Sequence, residues 1–301
     1  MLLCIDVGNT QIALGIYADP DPNTGAVEVR PPLVRSWRMR TEPRMTADEL
    51  EAAIRGLIGD YRAEVTGVAA LSTVPTLLRE IRLLLDRQPE LPSVVVGPGV
   101  RTGVPLLVDN PREVGADRVV NTLAAHRIFR TACIVVDFGT STNIDVVSAK
   151  GEFLGGVLAP GVEISMEALA TRAAALRTVE LVPPRSVIGK NTVECLQAGV
   201  LYGFAGQVDG LVRRILRELG TVAEPVTVLA TGGLAPLITE ESETIQEHVP
   251  DLTLLGLRLV FLRNQFGSVP STRPRSGDAS RRTTSASHGR EPTVGERSPF
   301  R

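Results

Sequence analysis

Aromatic residues make up only 4% of this 301-residue sequence, so its core has to be built from Leu, Val, Ile and Ala. Cysteine is nearly as scarce. Cys4, Cys133 and Cys195 have neither metal-site nor redox spacing, which predicts inert, buried thiols in a reducing compartment. His126, His248 and His288 are scattered, without a Cys or carboxylate cluster around them. The net charge of −2 gives no electrostatic reason to expect a nucleic-acid partner. No apolar run reaches the roughly 18 to 20 residues of a membrane span. The first ten residues meet Asp6 and Gly8 without a basic leader, so no signal peptide and a cytoplasmic location are expected. Several catalytic signatures are missing too. Gly189-Lys190-Asn191-Thr192 resembles a Walker A loop, but Pro184 stands where its first glycine belongs and Asn191 separates Lys from Thr. There is no protein-kinase catalytic loop, no GxSxG and no HExxH.

What is present divides the chain in three. A prior of roughly 150 residues per domain predicts two lobes, with 43% hydrophobic residues to fill their cores. From Gly267 onward Arg, Ser, Thr and Pro dominate, and seven Arg against three acids leave 7 − 3 = +4. Such a segment buries too little apolar surface to offset the entropy of ordering, so residues 267–301 are expected to form a disordered basic tail. The expected lobes are 1–118 and 119–266.

An internal echo relates the lobes. LLCIDVGNT (2–10) and CIVVDFGTS (133–141) both run from a β-rich stretch into Asp-x-Gly, and Asp6 and Gly8 recur at Asp137 and Gly139. Each turn is followed by a second strand-like run, QIALGIY in the first case and NIDVVSA then EFLGGVL in the second. Elsewhere strands are expected at 33–40, 67–72 and 93–97. Helices are expected from the Thr46 capping box to about Arg62, over 76–87, and from Asp117 through AAHRIF. TRAAALRT, the long run from Thr192 and VTVLATGG continue the alternation, which predicts an α/β fold. A lone Asp-x-Gly turn is commonly just a turn. Two of them, at matching places in two lobes, point to a phosphate cradle: turn N–H groups wrap phosphate oxygens while the carboxylates hold a cation. Asp117, at the head of a helix, is expected to be held ionised by the macrodipole. As a plain reading it only caps that helix, with Arg118 in a surface ion pair.

Taken in order, six blocks resemble the type III pantothenate kinases, within the superfamily of acetate and sugar kinases, heat-shock ATPases and actin. They are Asp6-Val-Gly-Asn-Thr10, Asn110-Pro-Arg-Glu-Val-Gly-Ala-Asp-Arg118, Asp137-Phe-Gly-Thr140, Gly155 to Gly161, Gly189-Lys-Asn-Thr192 and Thr231-Gly-Gly233. The resemblance spans 1–266 and implies two actin-like (ribonuclease H-like) lobes with a nucleotide cleft between them, ATP and Mg²⁺ as cofactors, pantothenate as substrate and a homodimer. It also implies residue roles. Asp6 would hold the nucleotide's Mg²⁺, and Val7, Gly8, Asn9, Thr10 and Gln11 would form the phosphate turn. Thr140, Gly232 and Gly233 would meet ATP. Asp117 would be the base, with Gly115, Ala116, Arg118 and Thr192 around pantothenate. Asp137 would bind a monovalent cation, K⁺ or NH₄⁺. The residues alone leave Asp137 open as a second Mg²⁺ ligand, Thr192 as a helix N-cap, and Gly232-Gly233 as a strand-end turn. Two departures stand out: Val108 where relatives carry tyrosine, and Thr142-Asn143 where they carry two threonines. The competing expectations are another small-molecule kinase of the superfamily and a non-catalytic regulatory protein on the same scaffold.

Overall fold

A computed structural model describes residues 1–19, 29–172, 179–220 and 225–265. The tail expected from residue 267, and TRAAALRT from residue 173 on, lie outside the described residues.

The chain opens with β1 (Leu2–Val7), β2 (Gln11–Tyr17) and β3 (Leu33–Arg40), an antiparallel meander. Thr46 then caps α1 (Ala47–Ile58) in a full capping box with Glu49, and Leu50, Ile54 and Ile58 form its buried stripe. A 3₁₀ turn follows from Gly59, so the α-helix stops four residues before the expected Arg62. The wholly buried β4 (Gly67–Ser72), α2 (Pro75–Asp86) and β5 (Ser93–Val95) complete a five-stranded sheet in the order β3-β2-β1-β4-β5. β1, β4 and β5 run parallel, so β1 and β4 are covered on both faces and read as apolar runs.

α3 (Ala116–Phe129) leads into the second half: β6 (Cys133–Phe138), β7 (Ser141–Val147) and β8 (Phe153–Pro160) form another meander. α4 (Val162–Arg172), α5 (Thr192–Leu219), β9 (Thr227–Thr231), α6 (Ala235–Thr239), β10 (Glu247–His248) and α7 (Leu252–Gln265) follow. The second sheet runs β10-β9-β6-β7-β8. Counted from its own first strand, this is the order of the first sheet, so the echo in sequence is a repeat in topology. The two-lobed actin-like α/β fold is thereby borne out.

The layers explain the strand patterns. Leu3, Ile5 and Val7 face α1 and α2, whereas Leu2 and Cys4 face α7. In the second sheet Ile134, Val136 and Phe138 face α5 and α6, whereas Cys133 and Val135 face α3 and α7. α3 and α7 thus pack on each other between the two sheets. The expected boundary at residue 118 falls inside α3. α7, the last helix of the expected second lobe, packs on β1, β2, β4 and β5 of the first sheet.

The cysteine expectation needs one correction. Cys4 and Cys133 are buried, but Cys195 is exposed on the first turn of α5, where helix geometry turns it to solvent.

Candidate active site

Both meanders carry an acid near the end of their first strand. Asp6 is the last but one residue of β1 and Asp137 holds the same place in β6. Because strand side chains alternate, both acids lie on the face that meets α3 and α7, at the point where helical cover ends and a cleft begins. Tight turns follow: the Gly8 N–H donates to the Gln11 carbonyl at 3.0 Å, and the Gly139 N–H to the Ser141 carbonyl at 3.1 Å. The turns meet each other through the hydroxyls of Thr10 and Thr140, 3.0 Å apart.

Between them lies a cavity of about 400 Å³. Its lining includes Asp6, Gly8, Asn9, Thr10, Gln11, Asp117, Asp137, Thr140, Gly232 and Gly233, so most of the residues singled out in the sequence are brought to one place. Asp117 enters from the first turn of α3. Gly232 follows β9 with φ 96°, and a Cβ there would stand 2.5 Å from the Phe138 carbonyl and 2.8 Å from Asp137 Oδ1. Only glycine lets this loop pass so close to the acid.

Five expected residues lie elsewhere. Val7 is fully buried against the α1–α2 layer and lines no part of the cleft, because alternation turns it away from Asp6. Gly115, Ala116 and Arg118 flank Asp117 at the head of α3 but do not line the cavity. Arg118 is not in a surface ion pair. Its Nε and Nη2 donate to Asp145 Oδ1 at 2.8 and 2.5 Å, and its guanidinium lies over the Phe153 ring. Thr192 is exposed and is the first residue of α5; the N-cap is Asn191, whose side chain accepts from the Glu194 N–H at 3.0 Å.

The electrostatics are those of crowded acids. Burial pushes the carboxyl of Asp6 up to about 7, reinforced by the charges of Asp117 and Asp137 and opposed by Arg38. Asp137 also rises to about 7, through burial and repulsion from Asp117 and Asp145, opposed by the Asn121 side chain, which donates to it at 3.4 Å. Asp117 is raised by burial as well, against the backbone N–H groups at the helix start and the charge of Arg118. Desolvation thus sets the direction of the shift, while the N–H groups at the helix start still oppose it, as the macrodipole expectation requires.

Sequence reasoning missed several contributors. Asp145 on β7 is only 1% exposed, and a lone acid inside an apolar strand signals a hidden partner, here Arg118. Asn121 lies one helical turn after Asp117 and also accepts from the Thr253 hydroxyl of α7 at 2.9 Å. Arg38, Asp251 and Thr253 line the cavity from β3 and the head of α7, and nothing local in the sequence marks them.

Comparison with known proteins gives the family. A profile of the type III pantothenate kinases matches residues 2–214. The type III pantothenate kinase of Saccharopolyspora erythraea is 71% identical over 270 residues, covering 89% of this chain and 100% of its own. That of Rhodococcus opacus is 63% identical over 267 residues, covering 88% and 96%. The solved structure of a Baf family protein from Campylobacter jejuni matches with a TM-score of 0.53 at 14% identity, over 87% of this chain and 98% of that one, a likeness of fold alone. Identity this high along nearly the whole length of its relatives leaves one assignment: the chain belongs to the type III pantothenate kinase family.

Proposed function

We propose that this chain moves the γ-phosphoryl group of ATP onto the hydroxyl of pantothenate, giving 4'-phosphopantothenate at the first step of coenzyme A biosynthesis, with Asp117 as base. The observation that carries the reading is the single cleft shared by both acidic turns and Asp117. Phosphoryl transfer asks a protein mainly for positioning and charge neutralisation. The turns at Gly8–Gln11 and Gly139–Thr140 receive the phosphates, and the Gly232-Gly233 loop passes the adenosine. Asp117 accepts the hydroxyl proton as the pantothenate oxygen bonds to the γ-phosphorus and the bond to ADP breaks. Burial raises its proton affinity, which favours that transfer.

The acidic floor also suits cations. Among the described residues no three His, Cys, Asp or Glu side chains form a ready-made metal cage. Mg²⁺ does not require one, since it keeps waters and is held by one or two carboxylates plus substrate phosphates. Asp6 would hold it and Asp137 the monovalent cation, K⁺ or NH₄⁺; bound there, cations would relieve the repulsion that raises both acids and neutralise the triphosphate. Arg118 has five N–H donors and gives two to Asp145, leaving three for the substrate carboxylate.

A homodimer completes the reading. Of the eleven large apolar side chains exposed among the described residues, eight fall between Leu154 and Val193. They include Leu154 and Leu158 on the edge strand β8, and Val187, Ile188 and Val193 around Thr192. Exposed apolar patches of this kind mark protein contacts, and Thr192 would reach pantothenate from this contact region. Among the described residues no helix is long and apolar enough to cross a membrane, and the reaction is assigned to the cytoplasm. The test is an acceptor panel of pantothenate, sugars and acetate with ATP and Mg²⁺, with and without K⁺. Phosphorylation of pantothenate is expected; transfer to a sugar but not to pantothenate would overturn the substrate assignment.

A further inference from the structure

One row of residues across the first sheet holds a side chain with no task so far. Asp6 on β1 stands opposite Ala13 on β2, and Ala13 opposite Arg38 on β3. Residues directly opposite on paired strands share a face, and strands lie about 4.8 Å apart. The Arg38 backbone is therefore roughly 10 Å from that of Asp6, with only the Ala13 methyl group between their side chains. All three line the cleft.

The charges in that cleft are lopsided. Asp6, Asp117, Asp137, Glu163 and Asp251 face it, and among the described residues Arg38 is the sole Lys or Arg that lines it. A cleft that is to take a triphosphate needs positive charge besides its metal ion. Arg38 is also uncommitted: its Nη2 lies 3.9 Å from Asp251 Oδ1, with the arginine side chain 51% exposed. That separation is beyond hydrogen-bond distance, and an exposed pair of this kind is cheap to break. The matching row of the second sheet is Asp137, Asn143, Leu158, so that row supplies no cation.

We propose that Arg38 is a triphosphate-binding residue, its guanidinium leaving Asp251 and crossing over Ala13 to the phosphate oxygens held at the Asp6 turn. The inference rests on the nucleotide reading of the cleft. It concerns the phosphates alone, neither the base nor pantothenate, and that makes it separable from a structural role in which Arg38 merely latches β3 to the head of α7.

The test measures, on the full chain, calorimetric affinities for Mg-ATP and for AMP, with KM values for ATP and pantothenate, in wild type, R38A, R38K and D251N. R38A should weaken ATP about tenfold or more, the scale of a lost charge-assisted contact, while AMP affinity and the pantothenate KM change less than about twofold. R38K should recover part of the loss, and D251N should bind ATP no more weakly than wild type. Should R38A fail to fold, R38Q removes the charge with the stem retained and is held to the same outcomes. Wild-type ATP affinity in R38A would overturn the inference. Equal losses for ATP and AMP, reproduced by D251N, would replace it with the latch. Absence of ATP binding by the wild-type chain would sink the nucleotide reading itself, and this inference with it.

Discussion

The two sheets share a strand order and an acid at the same place, yet the rows beside that acid differ. In the first sheet the acid's row runs Asp6, Ala13, Arg38; in the second it runs Asp137, Asn143, Leu158. The next row inward is Cys4, Gly15, Ser36 in the first and Val135, Asp145, Gly156 in the second. Where Gly15 lacks a side chain, Leu254 of α7 and Leu33 fill the space, each 2.8 Å from where a Cβ would stand. The corresponding Asp145 instead grips Arg118 of α3, and Gly156 beside it leaves room, since a Cβ there would meet the Ile144 carbonyl and stand 3.0 Å from Asp145 Oδ1. At this row one lobe meets its central helix by apolar packing, whereas the other adds a buried ion pair to the apolar contacts around it. A repeated scaffold fixes where an acid sits; the neighbouring rows decide what that acid and its lobe are used for.

The comparison breaks most sharply at the residue that belongs to neither sheet. D117N should lower kcat by about 10²–10⁴-fold with ATP affinity little changed, as measured by steady-state kinetics and calorimetry. Near-normal turnover would remove Asp117 from the base role. Next comes the contrast in helix gripping. D145A leaves Arg118 buried without its partner and should cost about 3–5 kcal/mol in urea unfolding, whereas G15A overpacks an apolar contact and should cost about 1–3 kcal/mol. Equal, small costs would show that the rows do not differ as described. The two matched acids should then separate by task, each with an effect on the order of 10–100-fold. D6N should raise the KM for Mg-ATP, and D137A should abolish the response to potassium; the reverse pattern would exchange their assignments.

A further effect concerns pH. Asp6 and Asp137 have ordinary values near 3.8 and rise to about 7 in the fold. Between about pH 4 and 7 the folded, ligand-free chain holds protons that the unfolded chain has released, so these two groups make stability fall as pH rises through that window and level off above it. The Tm of the ligand-free protein should therefore drop more between pH 5 and 8 than that of the D6N/D137N double variant. Parallel pH profiles for the two proteins would contradict the crowding of these acids.

Much of this was legible because local rules and tertiary structure agree. The Asp-x-Gly echo gave the matched meanders, and the Thr46–Glu49 spacing marked the start of α1. Even so, the echo slips after the turn. Asp6 and Asp137 are 131 residues apart, but Ala13 and Asn143 only 130, because the second turn is one residue shorter. Row partners therefore cannot be read from the aligned motif alone. LVRSWRMR looks like a solvated edge strand, and nothing in it separates Arg38 from Arg35 or Arg40; register against β2 does that. Asp251 and Thr253 reach the cleft only because α7 folds back between the sheets, a contact more than a hundred residues distant in sequence. Asn191, rather than Thr192, caps α5 because two capping residues stand side by side and propensity cannot choose between them.

The most direct measurement follows the phosphoryl group itself. Wild-type chain incubated with ATP, Mg²⁺, K⁺ and pantothenate, observed by phosphorus NMR, should show loss of the ATP γ signal and growth of a phosphate monoester on the pantothenate hydroxyl. Release of inorganic phosphate with pantothenate unchanged would contradict a cleft built to bring that hydroxyl to Asp117.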